Sequence, residues 1–219
     1  SGNINHVGPA LLAWGTEEQK KTYLPPMARG ETVWSPAWSE PDAGSDVANI
    51  TTTAVQGGDD YIINGQKRWS IQSFFADWAI FLARTDPDSA RHRGLSVFVA
   101  DLKTPGITVT PIVDTGGYRY WGEMTLDNVR LPKENMVGPK NQGWTAVTTT
   151  LNNERNAFEI LGTTRRNLDL VIRYARETKR NGEPLIQNST IRHKLAQLAI
   201  EVEVTRLLYY RVVWARDRG

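Results

Sequence analysis

Apolar positions change their spacing twice along this chain of 219 residues. In the first thirty residues, Thr16 is followed three positions later by Gln19, a capping-box pattern that predicts a short helix reaching Leu24 and stopping at Pro25-Pro26. Residues 1–30 therefore read as the end of a helical region. From 31 to 138 the pattern becomes short runs of β-branched and aromatic residues separated by Gly, Pro, Asn and Asp, which predicts a β domain. Predicted strands run from Trp78 to Ala83, Gly94 to Leu102, Ile107 to Val113 and Glu123 to Leu131. Asn64-Gly65 is predicted to turn a hairpin between Tyr61-Ile62-Ile63 and a strand beginning at Gln66. Such strands with regular turns predict an antiparallel β-barrel or sandwich. In 139–219 apolar residues return at spacings of three and four, predicting long helices from about 142 to 180 and 188 to 218, broken by Asn181-Gly182-Glu183-Pro184. Two helices leave an apolar stripe that the β domain, further helices or a partner chain must cover. The fold class is α+β.

Composition narrows the function classes. With 40% hydrophobic and 23% charged residues the chain is globular rather than disordered. A formal charge of +2, from 26 basic residues interspersed with 24 acidic ones, gives no argument for nucleic acid, though it leaves room for a basic patch facing a phosphorylated ligand. The absence of cysteine removes disulfides, thiolate metal sites and a cysteine nucleophile, and no metal site is expected. No apolar run approaches the roughly 20 residues that span a bilayer, and no signal-peptide pattern opens the sequence, so a cytoplasmic protein is expected. Ser1-Gly2-Asn3 lacks an initiating methionine and an amphipathic pattern runs to Arg218-Gly219, so both ends look cut and a fragment is expected.

The densest chemistry lies in Ser39-Glu40-Pro41-Asp42-Ala43-Gly44-Ser45-Asp46, a small-residue loop with a hydroxyl and flanking carboxylates. Its Gly and Ala let backbone amides approach a carbonyl or phosphate closely. Taken alone, it also reads as an ordinary polar turn between strands. Three further segments accompany it: Asn64-Gly65-Gln66-Lys67-Arg68-Trp69, Asp77-Trp78 followed by Ala83-Arg84-Thr85-Asp86, and Asp127-Asn128-Val129-Arg130-Leu131-Pro132. In this order and spacing they resemble the acyl-CoA dehydrogenase family, and the resemblance covers nearly the whole chain, from Gly15-Thr16-Glu17-Glu18-Gln19-Lys20 onward. It implies an N-terminal helical domain ending near residue 30, a middle β domain over 31–138 and the first half of a C-terminal helical bundle over 139–219.

The resemblance also implies a chemistry: FAD-dependent oxidation of the Cα–Cβ bond of an acyl-CoA thioester, with electrons passed to an electron-transferring flavoprotein. A carboxylate base must remove the α proton. Glu154 is the candidate, since Leu151, Phe158 and Leu161 lie three residues before it and four and seven after, and a carboxylate on an apolar stripe has a raised pKa. Its Glu-Arg pair with Arg155 is similar to the isovaleryl- and long-chain acyl-CoA dehydrogenases, whereas the larger branch of the family carries its base later in the bundle. For flavin contacts the resemblance points to Trp38, Ser39 and Trp69. The family's usual Ser or Thr two places after Trp69 is replaced by Ile71, with Ser70 alongside, so Ser70 compensates by a local shift, backbone contacts serve alone, or flavin binding is weaker. Ser45, Asn152 and Arg155 match substrate-facing positions. At the positions that hold the adenine end of FAD from a neighbouring subunit, Thr178, Asn181 and Ser189 match nothing in the usual pattern. The implied assembly is a homo- or hetero-oligomer. A non-catalytic subunit of a heteromeric dehydrogenase and an acyl-CoA oxidase are the alternatives.

Overall fold

The computed structural model describes residues 3–154 and 158–218, and it divides into two units, Ser1–Glu154 and Arg155–Gly219. The first unit contains α1 (Gly8–Trp14), α2 (Glu17–Ala28), β1 (Trp34–Ala37), β2 (Thr53–Gly57), β3 (Asp60–Ile71), β4 (Trp78–Arg84), β5 (Leu95–Asp101), β6 (Ile107–Ile112), β7 (Trp121–Pro132), β8 (Met136–Val137) and α3 (Gly143–Glu154). The second contains α4 (Phe158–Glu177), the short strands β9 (Lys179–Arg180) and β10 (Glu183–Pro184), and α5 (Ser189–Asp217).

The predicted capping box forms: Thr16 Oγ1 accepts from Gln19 N at 3.1 Å and Gln19 Oε1 accepts from Thr16 N at 3.0 Å. The helix does not stop at Leu24, because α2 continues through Pro25-Pro26 to Ala28. Two prolines remove the donors that the Lys21 and Thr22 carbonyls would otherwise meet, and both of those residues are exposed, where solvent is at hand as a substitute donor. Gln19 has a second task, its Nε2 donating to Glu134 O at 2.7 Å and to Met136 O at 3.0 Å, which ties α2 to the turn before β8. Thr16→Ala is expected to cost about 1 kcal/mol. Gln19→Ala should cost more, about 2 kcal/mol, since it strips the cap and leaves two carbonyls without their donor. Denaturant melts of the two variants check the order.

Eight strands form one sheet in the order β6-β7-β3-β2-β4-β5-β8, with β1 also on β4. One edge of β4 is shared end to end, β1 running parallel to Trp78–Phe81 and β2 touching further along at Thr53 opposite Arg84. The expected barrel does not close. At one end β8 offers only two residues, paired to Val97 and Phe98, and at the other β6 carries Pro111, which has no N–H to donate and suits an edge.

Both faces of β4 and β5 are covered, which explains why these strands read as unbroken apolar runs. Ile80, Leu82, Leu95, Val97 and Val99 face a core shared with Leu11 of α1, Ala43 and Val47 of the loop after β1, and Ala146 and Val147 of α3. Ala79, Phe81, Ala83, Phe98 and Ala100 face a second core with Tyr61, Ile63, Met124, Leu126 and Val129.

Asn64-Gly65 does not turn the chain. β3 runs unbroken through it, the register against β7 slips between Ile63 and Gly65, and the hairpin from β2 to β3 turns instead at Gly57–Asp60. Gly65 has φ +153, and a Cβ there would stand 2.4 Å from Thr52 Oγ1, so the glycine serves a close crossing of backbones. The turn with two positive φ values occurs at Asn181 (φ 54) and Gly182 (φ 86), closing the β9–β10 ladder.

In the second unit Asn188 caps α5 by accepting from Ile191 N at 3.2 Å. Leu168, Ala175 and Leu195 are buried in this unit, whereas Leu170, Val171, Tyr174, Leu198, Leu207, Leu208 and Trp214 are exposed. This is the apolar stripe that the helix pattern predicted.

Candidate active site

The loop after β1 is closed on itself and bolted to β3. Glu40 and Ala43 exchange backbone hydrogen bonds at 2.8 and 3.2 Å, closing a tight turn with Pro41 and Asp42 at its centre. The Glu40 carboxylate turns inward. It accepts from Thr51 N at 2.6 Å, Thr51 Oγ1 at 2.8 Å, Thr52 N at 3.0 Å and Lys67 Nζ at 2.8 Å. The Lys67 side chain is 0% exposed. Burial opposes the charge on Glu40, but Lys67 and the donated hydrogen bonds outweigh it and hold its pKa down to about 2. Burial moves Lys67 down to about 8, against the pull of Glu40. Arg84 secures the far side of the loop, its Nη2 donating to Ala48 O at 2.9 Å.

Because the folded pKa of Glu40 lies below its ordinary 4.5, its contribution to stability is fully present above that value and is lost as the pH falls through about 2. The stability gap between the parent and Glu40→Gln is therefore expected to shrink steadily between pH 4.5 and pH 2. Urea melts at a series of acid pH values read it directly.

Two residues beyond Lys67, β3 bulges. The register against β7 slips between Lys67 and Ser70, and Trp69 sits at φ 60. An aromatic residue in the left-handed region costs about 1–3 kcal/mol and persists only where its surroundings over-determine it. Here the bulge turns the indole out of the sheet, 53% exposed, with the Arg68 guanidinium 5.4 Å from its ring. Arg68 N donates to Ser39 O at 2.8 Å, so Ser39 stands directly against the bulge. Ser35 Oγ donates to Ile71 O at 2.8 Å, which ties β1 to the far side of it. Ser70 is buried opposite Gly122, and its Oγ lacks a hydrogen-bond partner among the described residues, as does the half-buried Trp38 Nε1.

At the end of α3, Asn152 and Glu154 are exposed. The Glu154 side chain is 46% exposed rather than sequestered on an apolar stripe, and Oε1 lies 4.0 Å from Nε2 of the buried His6. Burial lowers the pKa of His6, while Glu154 pulls it upward. Leu151 packs on the same core as Trp38, Ala43 and Val47, which joins α3 to the motif loop. Ser45 is exposed beside Asp46, whose carboxylate accepts from Arg91 Nη2 at 2.6 Å. Arg155 lies outside the described residues. Thr178, Asn181 and Ser189 belong to the second unit.

Three family profiles cover the chain: Acyl-CoA dehydrogenase, N-terminal domain at residues 1–31, middle domain at 35–129 and C-terminal domain at 141–219. The chain belongs to the acyl-CoA dehydrogenase family. It is 37% identical to acyl-CoA dehydrogenase FadE29 of Mycobacterium tuberculosis over 98% of this chain and 55% of that protein. Among solved structures it superposes on a glutaryl-coenzyme A dehydrogenase glutaryl-CoA complex with TM-score 0.89 at 36% identity, covering 99% of this chain and 56% of the other. It matches the ChsE4-ChsE5 complex from Mycobacterium tuberculosis with TM-score 0.86 at 36% identity, covering 100% and 57%. The chain thus spans somewhat more than half the length of these relatives.

Acyl-CoA dehydrogenases are FAD-dependent oxidoreductases. The residues around the bulge fit such a group: an indole face held out of the sheet, the Ser39 backbone clamped beside it, and a Trp38 N–H without a partner among the described residues. The Ser70 hydroxyl is buried in the protein. In this member of the family, the partnership of Glu40 with Lys67 and the position of His6 were not among the expectations from sequence. A signal for Lys67 existed, because it shares the inward phase of β3 with Tyr61 and Ile63. No comparable signal marks His6. Among the described residues no cluster of three or more His, Asp or Glu is arranged for a metal, and no helix is long and apolar enough to cross a membrane.

Proposed function

We propose that the intact protein, of which 1–30, 31–138 and 139–219 are three successive domain parts, is a cytoplasmic FAD-dependent acyl-CoA dehydrogenase that passes electrons to an electron-transferring flavoprotein. The observation carrying this reading is Trp69, held half-exposed at φ 60 beside the Ser39 backbone, since a fold retains such strain where a ligand uses it. Trp38, Ser39 and Trp69, with the backbone at Ser70 and Ile71, would hold the flavin. Bound FAD supplies the acceptor for the β hydride. Glu154 takes the α proton of the thioester at a carboxylate oxygen, with the buried His6 beside it. Ser45, Asn152 and Arg155 contact the acyl-CoA.

An absorption spectrum of the purified intact protein tests this. A flavin band that bleaches on anaerobic addition of an acyl-CoA is the expected result, and a flavin band that no acyl-CoA bleaches would refute the dehydrogenase reading.

A second reading follows from Thr178, Asn181 and Ser189, which depart from the pattern that grips the adenine end of FAD, and from the likeness to the ChsE4-ChsE5 complex. In it, this polypeptide completes its flavin site with an unlike subunit. Purification without colour, followed by flavin uptake on mixing with a second chain, would favour that reading.

A further inference from the structure

Resting on the FAD-binding reading above, we propose that the Glu40–Lys67 ion pair is a positioning device, fixing the motif loop against the Trp69 bulge and so setting where Ser39 and Trp69 stand relative to a bound isoalloxazine ring. Proton removal and hydride acceptance leave the pair unused, and both side chains are closed from solvent. Stability alone is a poor reason for it, because apolar side chains of similar volume commonly replace a buried ion pair without loss. What a charge pair adds is uniqueness. Sliding the motif loop along β3 would leave two uncompensated buried charges, so a single register is tolerated.

The two residues occupy the places where such a constraint acts on the ligand-facing groups. Glu40 directly follows Ser39, and Lys67 precedes Trp69 by two. The Ser39–Arg68 backbone hydrogen bond lies between the ion pair and the indole. The other Glu40 contacts, to Thr51 N, Thr51 Oγ1 and Thr52 N, fix the return of the loop, and Thr52 in turn crosses close over Gly65 on β3. The Trp69 bulge is therefore gripped on its leading side by Lys67 and on its trailing side by the pairing of Ser70 with Gly122 and of Ile71 with Trp121.

The test uses the intact protein labelled with fluorotryptophan, with the Trp69 fluorine resonance assigned by Trp69→Phe. The variants are Glu40→Gln/Lys67→Met, which removes both charges and keeps one acceptor oxygen, for Thr51 or for Thr52, and the near-isosteric Glu40→Gln. In the parent a single narrow Trp69 line is expected. In the double variant the line is expected to broaden or split while far-ultraviolet circular dichroism is unchanged, and the apoprotein should bind added FAD about tenfold more weakly. An unchanged Trp69 line in a folded double variant overturns the proposal whatever FAD does. Should the double variant fail to fold, the Trp69 line of Glu40→Gln decides in the same way. If the parent apoprotein itself takes up no FAD, unaided flavin binding falls, and the resonance still decides whether the ion pair positions Trp69.

Discussion

Glu154→Gln in the intact protein is expected to keep its flavin and its fold and to lose acyl-CoA-driven flavin bleaching by roughly 10²- to 10⁴-fold, the usual worth of a positioned general base. The exchange keeps the size of the side chain and removes only its ability to take a proton. Among the described residues Glu154 has no other structural burden of note, being 46% exposed, with His6 Nε2 at 4.0 Å and not within hydrogen-bonding distance. Stopped-flow bleaching under anaerobic conditions separates the proton-removal step from later electron transfer. A variant that bleaches as fast as the parent assigns the base to a carboxylate elsewhere in the protein. Flavin content and substrate affinity measured on the same preparation guard against a trivial loss.

Lys67→Met is the substitution expected to harm the fold most, by about 3–5 kcal/mol, because it leaves the Glu40 carboxylate buried without its cation. The Thr51 and Thr52 donors still solvate that carboxylate, so the loss stays within this range rather than exceeding it. Adding Glu40→Gln to the same chain removes the orphaned charge. The double variant is therefore expected to be more stable than Lys67→Met alone by about 1–3 kcal/mol, the coupling energy of groups in contact. Guanidinium melts followed by tryptophan fluorescence report the region, since Trp34 and Trp78 stack at 5.3 Å on the core next to the motif loop. If the double variant is weaker than the single by the full cost of a second substitution, the two side chains are independent and the ion pair is not the unit that holds loop to strand.

The two Asn-Gly pairs show how far local pattern reaches. The same dipeptide was expected to turn the chain at 64–65, where it instead relieves a crossing of backbones, and it does turn the chain at 181–182, within a segment read only as a helix break. Nothing in either dipeptide distinguishes them. The difference is Thr52, which packs over Gly65 only after β2 and β3 have paired. Similarly, Pro25-Pro26 is a stop by local rules and becomes tolerable inside α2 because the residues whose carbonyls lose donors face water.

The candidate site divides along the same line. Trp38, Ser39, Ser45 and Trp69 were legible because they lie in short motifs whose residue types and spacing mark them. The inward turn of Ser70, the exposure of Glu154 and the nearness of His6 were not, since each depends on elements brought together from distant parts of the chain.

By itself, the sequence determined the order of helical and β segments, the capping box at Thr16, the apolar stripe of the last two helices and membership of the family. All of these follow from backbone sterics and from periodicities of two or about 3.6 residues, which act over a few neighbours. Only the tertiary structure decided that the sheet stays open, that Trp69 is held out at φ 60, and that Glu40 and Lys67, 27 positions apart, meet at 2.8 Å in the interior. A buried charge finds its partner through the packing of the whole unit, because the cost of leaving it alone is felt only once water has been excluded.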